Sequence, residues 1–368
     1  MNVKSYISTH FNLSTVLLTF SFILFSSSAV ASSNQKEEKF NAGKMIIDHV
    51  IDSHEWHIME IGEKPITIPL PIIIFEGGKL EVFMSSKFHH VTQPYKGYLL
   101  CNEGKNKGKI VKLNPDGSIN EEAKIYDFSI TKNVLALFIG MIIICIIFIS
   151  VARSYTKRKG MAPKGLQSFI EPIIMFIRDD IAKPAIGNKY QRYLPFLLTL
   201  FFFIFINNLL GLIPFFPGGA NLTGNVAVTG VMALFTFFIT LFSGNKAYWK
   251  HIFNAPGVPW WLKLPIPLMP VVELVGVFTK PFVLMVRLFA NITAGHIISL
   301  GFVSLIFIFG QMQPFAGYGV SVVSVAFYIF MGLLELLVAF IQAYVFTLLS
   351  SIYFGMAIEE HHHAEQSH

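Results

Sequence analysis

The chain has 368 residues, 53% of them hydrophobic and only 14% charged, with 37 phenylalanines and a mean hydropathy of +0.58. That is too apolar for one soluble domain and reads as an all-α polytopic membrane protein. The formal net charge of +6 raises nucleic acid as a partner, but the basic residues gather in loops beside apolar spans, which is an orientation signal, and no nucleic-acid partner is expected.

Lys4, the apolar stretch 16–25 and the A-x-A sequence Ala29-Val30-Ala31 predict a signal peptide over 1–31, cleaved after Ala31. An uncleaved first span is the weaker reading, because this apolar core is short. Residues 32–132 are ordinary and polar, with turn signals at Glu76-Gly77-Gly78, Asn102-Glu103-Gly104 and Asn114-Pro115-Asp116-Gly117. A small, mostly β exported domain is expected there, with short strands in 66–75, broken by Pro69 and Pro71, and in 109–113. Cys101 lies in this region and Cys145 in a span, so no intrachain disulfide is expected. His49, His54, Glu55, His57 and His89-His90 invite a metal site. The HEWH sequence lacks the i, i+4 spacing of a helical zinc-protease motif and no cysteine set completes a site, so the expectation is solvated loop histidines and neither metal nor cofactor.

The membrane domain is predicted over 133–361, with about five embedded helical segments. The first span, 133–152, leads into Arg153, Lys157, Arg158, Lys159 and Lys164, which places that loop in the cytoplasm. Residues 166–186 carry apolar positions at helical spacing between charges and are expected at the membrane interface without crossing. Residues 193–216 then cross outward, the uncharged turn 217–225 reverses the chain, and 226–242 return to a loop holding Lys246, Lys250 and Lys263. Both basic loops fall on one side, as the positive-inside rule requires.

Two apolar segments remain, 265–310 and 320–358, each about twice the length that crosses a bilayer upright. A turn at 311–317 makes them a long tilted antiparallel hairpin, and a short tail, 362–368, ends in the cytoplasm. No internal inverted repeat is evident, which counts against many transporter designs. In this hairpin Arg287 is the most informative residue. A guanidinium near the bilayer centre costs roughly 2.5 to 3.5 kcal/mol on insertion scales, so it must face protein or water and have a partner. Folded about a turn near Pro314, the hairpin sets Arg287 opposite Gln342 and His296 opposite Glu335, while Asn291 shares the Arg287 face one turn on. Polar amides often merely glue membrane helices together, but arginine, histidine and glutamate in one register suggest an ion path. His296 and Glu335 can relay a proton; Arg287 stays charged and cannot.

The run 287–296, RLFANITAGH, preceded by Glu273 and Thr279-Lys280-Pro281, resembles the signature of the a subunit of F-type ATP synthases. The run 337–360, with Gln342 and the closing Met356-Ala357-Ile358-Glu359-Glu360, and the run 208–214 are similar to that family as well, so that the likeness spans roughly 133–361. The resemblance implies a stationary subunit beside a rotating ring of c subunits, each with a mid-membrane carboxylate, together with the b-subunit peripheral stalk and membrane lipid. It implies two proton half-channels and no nucleotide chemistry in this chain. Carried over, Arg287 separates the two paths, Asn291, His296, Glu335 and Gln342 line the exported-side path, and Glu273 belongs to the cytoplasmic one, unless it simply pairs with Lys280. Two departures stand out: His296 and Glu335 are exchanged relative to many bacterial members, and Val283 sits where some relatives have serine. The exported region is much larger than the family's N-terminus. The rival classes are a free-standing secondary transporter or channel and, more distantly, a membrane enzyme using the exported histidines, for which no nucleophile or complete metal set stands out.

Overall fold

The computed structural model describes residues 41–61, 64–88, 93–101, 106–213, 216–253 and 268–359. The expected signal peptide, His89-His90, Lys263 and the tail 362–368 lie outside them. The described N-terminal part opens with helix α1 (Ala42–Val50), capped by Asn41, whose side chain accepts from the Lys44 N–H. Seven short strands follow: β1 (Glu55–Ile61), β2 (Lys64–Pro69), β3 (Pro71–Glu76), β4 (Lys79–Met84), β5 (Tyr98–Leu100), β6 (Ile110–Lys112) and β7 (Tyr126–Asp127). They pair antiparallel as β1-β2, β4-β3-β7 and β5-β6.

The expected strand segment 66–75 is two strands in two different sheets, because Pro69 and Pro71 flank Leu70 and remove the N–H groups that would continue one ladder. Leu70 is held at the break by paired bonds to Ser85, its N–H donating to the Ser85 hydroxyl and its C=O accepting from the Ser85 N–H. Alternation then builds the core: Ile72 and Ile74 point inward against Phe83, Phe88, Tyr98, Leu100 and Ile110, while Phe75 stays exposed. Glu76 receives hydrogen bonds from Lys112 and from the Tyr98 hydroxyl. These bonds hold its carboxyl below the usual glutamate range, and burial, followed by the Glu76 contact, pushes the Tyr98 phenol up to about 12.

His54 departs from the expected solvated loop. It is buried, and its Nε2 lies 3.1 Å from Asp127 Oδ2. The partner comes from a strand 73 residues away, and local reading could not supply it.

The membrane part begins with α2 (Lys132–Lys157), longer at both ends than the predicted span because Thr131 caps its start and the helix runs on past the apolar stretch to Lys157. Next come α3 (Leu166–Phe176), a π-helical turn (Ile177–Ala182) and α4 (Lys183–Ile186). Their amphipathic pattern is realised, with Ile170, Ile177, Ile181, Ala182 and Ile186 buried and Phe169 and Lys183 exposed. Helices α5 (Tyr190–Leu212), α6 (Val226–Ser243), α7 (Lys246–Phe253), α8 (Leu268–Met312) and α9 (Pro314–Ile358) complete the chain. Among the described residues five helical stretches are long and apolar enough to cross a membrane, in line with the expected five segments, and the N-terminal part is the small, mostly β region expected.

Hydrocarbon offers backbone groups no hydrogen bonds, so these segments must be helical. Helices α8 and α9 are 45 residues each, and only Gln313 separates them. The expected turn at 311–317 shrinks because Pro314 fits the first turn of a helix, where no N–H is needed. Lipid tails are as apolar as leucine, so close packing holds the helices together. Glycine permits that packing. A Cβ on Gly317 would come to 2.8 Å from Gly310 Cα, and one on Gly355 to 1.9 Å from the Ala185 carbonyl oxygen. Helix α9 packs on α8, α5 and α4, and α6 packs on α8, around a core of Leu197, Phe201, Phe202, Leu284, Leu288, Phe346 and Phe354.

Two outcomes test this packing. Gly355→Ala drives a methyl into backbone that cannot yield, and should cost about 1 to 3 kcal/mol, read as a lower melting temperature in detergent. Glu76→Gln should weaken the sheets by about 1 kcal/mol at neutral pH. Because the folded carboxyl is depressed, that stability exists above the unfolded value and is lost as pH falls through the folded one. The deficit in hydrogen-exchange protection across β3 to β6 should therefore narrow as pH falls below the ordinary glutamate value and close once it passes the depressed folded one.

Candidate functional site

A cavity of about 200 Å³ lies between α5, the 216–225 loop, α8 and α9. A water needs roughly 10 to 15 Å³ of such space, so there is room for a chain of them. Asn207 and Asn208 from α5, Asn221 and Thr223 from the loop, Asn291 and His296 from α8, and Glu335 from α9 line it. Most of the lining polar groups satisfy one another. Asn208 donates to the Ala339 C=O (3.3 Å) and its Oδ1 accepts from the Thr223 hydroxyl (2.6 Å), while Asn207 donates to the Phe203 C=O (2.7 Å). Asn221 is the exception. Its Oδ1 accepts from the Gly224 N–H, but its buried Nδ2 has no protein partner, which suits a wall facing water.

The predicted register brings His296 and Glu335 together: His296 Nδ1 lies 3.6 Å from Glu335 Oε2. The other carboxylate oxygen, Oε1, accepts from the Ser299 hydroxyl at 2.6 Å, so Glu335 is held from both sides by α8. Gly295 makes that approach possible, since a Cβ there would stand 3.1 Å from Glu335 Oε1. Ser299 was not among the predicted residues. Its place three residues after His296, on one helix face, is the signal that could have found it.

Arg287 is exposed, although it sits in the middle of an apolar helix. Around it Phe282, Val283 and Val286 of α8 are exposed as well, and α9 presents Leu333, Leu337, Phe340 and Ile341 in the same condition. Gln342 is buried on the α9 flank that carries Ala339, Ala343 and Phe346, and among the described residues no hydrogen bond joins it to Arg287. Nor does any carboxylate there form an ion pair with Arg287. Asn291 is exposed and reaches the cavity edge.

Glu273 lies fourteen positions before Arg287 on α8, half-buried. It forms no ion pair with Lys280 among the described residues. Lys280 instead sets its ammonium 5.6 Å from the centre of the Tyr353 ring. Three of the six predicted residues, Asn291, His296 and Glu335, thus meet at one cavity, while Arg287, Gln342 and Glu273 stand apart from it.

Comparison with known proteins covers both parts of the chain. Residues 134–355 match the family model described as ATP synthase A chain, and residues 45–128 match one described as a domain of unknown function. The chain is 43% identical over 249 residues to the ATP synthase subunit a of Chloroherpeton thalassium, covering 66% of this chain and 71% of that one. It is 46% identical over 239 residues to the ATP synthase subunit a 2 of Chlorobaculum tepidum, covering 63% and 64%, and 38% identical over 313 residues to the ATP synthase subunit a of Anaeromyxobacter dehalogenans, covering 79% and 75%. The matched span holds the long hairpin, its arginine and the His296–Glu335 pair, and the chain belongs to the ATP synthase A chain family.

Proposed function

We propose that this chain is the proton-channel stator in the membrane sector of an F-type ATP synthase, loading and unloading carboxylates carried on a rotating c ring. The observation that carries the reading is Arg287, a permanent cation exposed on an apolar membrane face and paired with no carboxylate of the described chain. A membrane-embedded carboxylate passing on a neighbouring subunit supplies the counter-charge. The surrounding exposed apolar residues of α8 and α9 suit a surface that slides against other helices rather than one locked by interdigitation.

Protons enter from the exported side through the cavity lined by Asn291, His296 and Glu335, with Gln342 next along α9 toward Arg287. His296 takes a proton on one ring nitrogen and gives one up from the other, and Glu335 is the acceptor beside its Nδ1. The Ser299 hydroxyl stabilises Glu335 in its charged form between transfers. Glu273 belongs to the second path, to the cytoplasm. Arg287, unable to release its proton, keeps the two paths from short-circuiting. In this reading 1–31 are a signal peptide, 32–132 an exported domain, 133–361 the membrane domain and 362–368 a cytoplasmic tail, in a bacterial inner membrane. The b-subunit peripheral stalk holds the subunit against the ring's rotation.

Arg287→Ala should abolish proton-driven ATP synthesis in membrane vesicles while the complex still assembles; wild-type rates would refute the role. A free-standing transporter would purify in mild detergent without a ring of small subunits bearing buried carboxylates, and that outcome would sink the stator reading. The exchange His296→Glu with Glu335→His should retain more activity than either single change, since the pair meets face to face. Failure of that rescue would argue against the relay.

A further inference from the structure

The N-terminal part is the region whose purpose neither the resemblance nor the matched domain of unknown function supplies. Asp52, Ser53, His54 and Trp56, just before and within β1, are each fixed by the rest of the fold. Asp52 Oδ1 accepts from the Asn133 N–H (3.0 Å) and the Ser53 C=O from the Lys132 N–H (2.8 Å), which ties the chain to the first turn of α2. His54 is held by Asp127, with Nε2 3.1 Å from Oδ2, and Trp56, two residues on, is buried on the same face of the strand. Across the sheet Trp56 pairs in register with Ile68 of β2, which packs against the same apolar cluster. The indole is thus set in a fixed place.

What the indole touches is the loop that walls the cavity. Trp56 meets Phe216 edge-on, with ring centres 5.2 Å apart and planes at 73°, and shares its cluster with Ala136 of α2 and Ala220 of the loop. Ala220 also lines the cavity, together with Asn221 and Thr223 of the same loop. A Cβ built on Gly211 would stand 3.3 Å from the Ala220 carbonyl oxygen and 3.8 Å from His296 Nε2. The loop backbone and the Nε2 edge of the relay histidine therefore meet at Gly211, while Nδ1 faces Glu335.

The stretch 216–225 forms neither helix nor strand. Turn bonds join Leu222 to Ala220 and Asn225 to Leu222, Thr223 donates to Asn208, and the Gly224 C=O accepts from Thr293 (3.5 Å). Irregular backbone beside membrane helices persists only where it is buried in protein or lines water. Here one side of the loop lines the cavity and the other is covered by Trp56. Where the loop is held also decides where the buried Asn221 Nδ2, which has no protein partner, is aimed.

We propose that the N-terminal domain is a brace for the proton cavity and that Trp56 is its positioning residue, holding the loop through Phe216 and Ala220 so that Asn221 and Thr223 keep their places in the wall while His296 takes up a proton. This rests on the proton-channel reading above. Trp56 carries no proton; it acts through the loop. Polar groups fixed in advance stabilise an arriving charge better than groups that must first be ordered, so a loosened wall takes up protons only at a higher proton concentration.

The test uses the whole ATP synthase in reconstituted vesicles, driven by an imposed proton gradient, with the pH varied on one side at a time and each variant compared with wild type at the same pH. Trp56→Leu and Phe216→Leu each keep an apolar side chain in the cluster. Each should move the midpoint of the exported-side pH profile about one unit to the acid, a tenfold higher proton demand, and regain the wild-type rate at the acid end. Trp56→Phe, which keeps a ring against Phe216, should move it less, and the cytoplasmic-side profile should stay in place. Phe216 is 41% exposed, so Phe216→Leu loosens the same contact from the membrane side even if Trp56→Leu fails to fold. A profile that loses height at every pH without moving would overturn the proposal, because a domain that merely stabilises the subunit changes only the number of intact complexes. An equal shift on the cytoplasmic side, or wild-type profiles in both variants, would overturn it too. His296→Ala separates the two readings. If it halts synthesis while the midpoint stays in place in both leucine variants, only the brace fails; if His296→Ala is silent, the channel reading fails.

Discussion

Hydrocarbon gives a polar group nothing to bond to, and that constraint arranges the membrane part of this chain. Each polar side chain along α8 and α9 must meet protein, water or a partner. His296 and Glu335 meet each other and Ser299, and Asn207, Asn208 and Thr223 close the same wall with bonds to backbone and to one another. Their convergence produces the cavity rather than decorating it. Close approach occurs at Gly317 and Gly355 and also here, where Gly295 of α8 lies against Glu335 of α9 beside the space that the polar side chains line.

Arg287 is left out of that settlement. It faces outward among exposed valines and phenylalanines, and its charge is stabilised by nothing in the described chain of opposite sign. A structural ion pair would have been satisfied internally, as Asp179 is by Arg178 and Lys183 near the water. Leaving a guanidinium unpaired makes the folded subunit incomplete on that face, which is where the proposed stator would meet a carboxylate on a neighbour.

Much of this was legible in the sequence because the constraint is simple. Apolar length gave the spans, and an antiparallel hairpin with a short turn has only one register, so His296 and Glu335 could be matched from their positions alone. What escaped was whatever depends on rotation about a helix axis or on distant chain. Gln342 sits near Arg287 in sequence register, but it turns toward the flank of α9 that packs inward while Arg287 turns out. His54 found Asp127 across the N-terminal domain, and Trp56 found Phe216 in the loop after α5. A polar segment read as mostly β also hid α1, whose nine residues gain their packing surface from α8.

Helix length carries the argument one step further. At 1.5 Å per residue, each hairpin helix is about 68 Å long, more than twice the roughly 30 Å of bilayer hydrocarbon. To keep its apolar length inside, the hairpin must tilt steeply, bend or lie partly in the membrane. Along α8, Glu273 lies about 21 Å to one side of Arg287 and His296 about 14 Å to the other. On a steeply tilted helix part of that separation runs in the membrane plane rather than across it. In the proposed stator the two groups lie on opposite sides of a fixed cation along one helix, an arrangement that suits a proton carried past Arg287 on a moving carboxylate rather than one conducted through it.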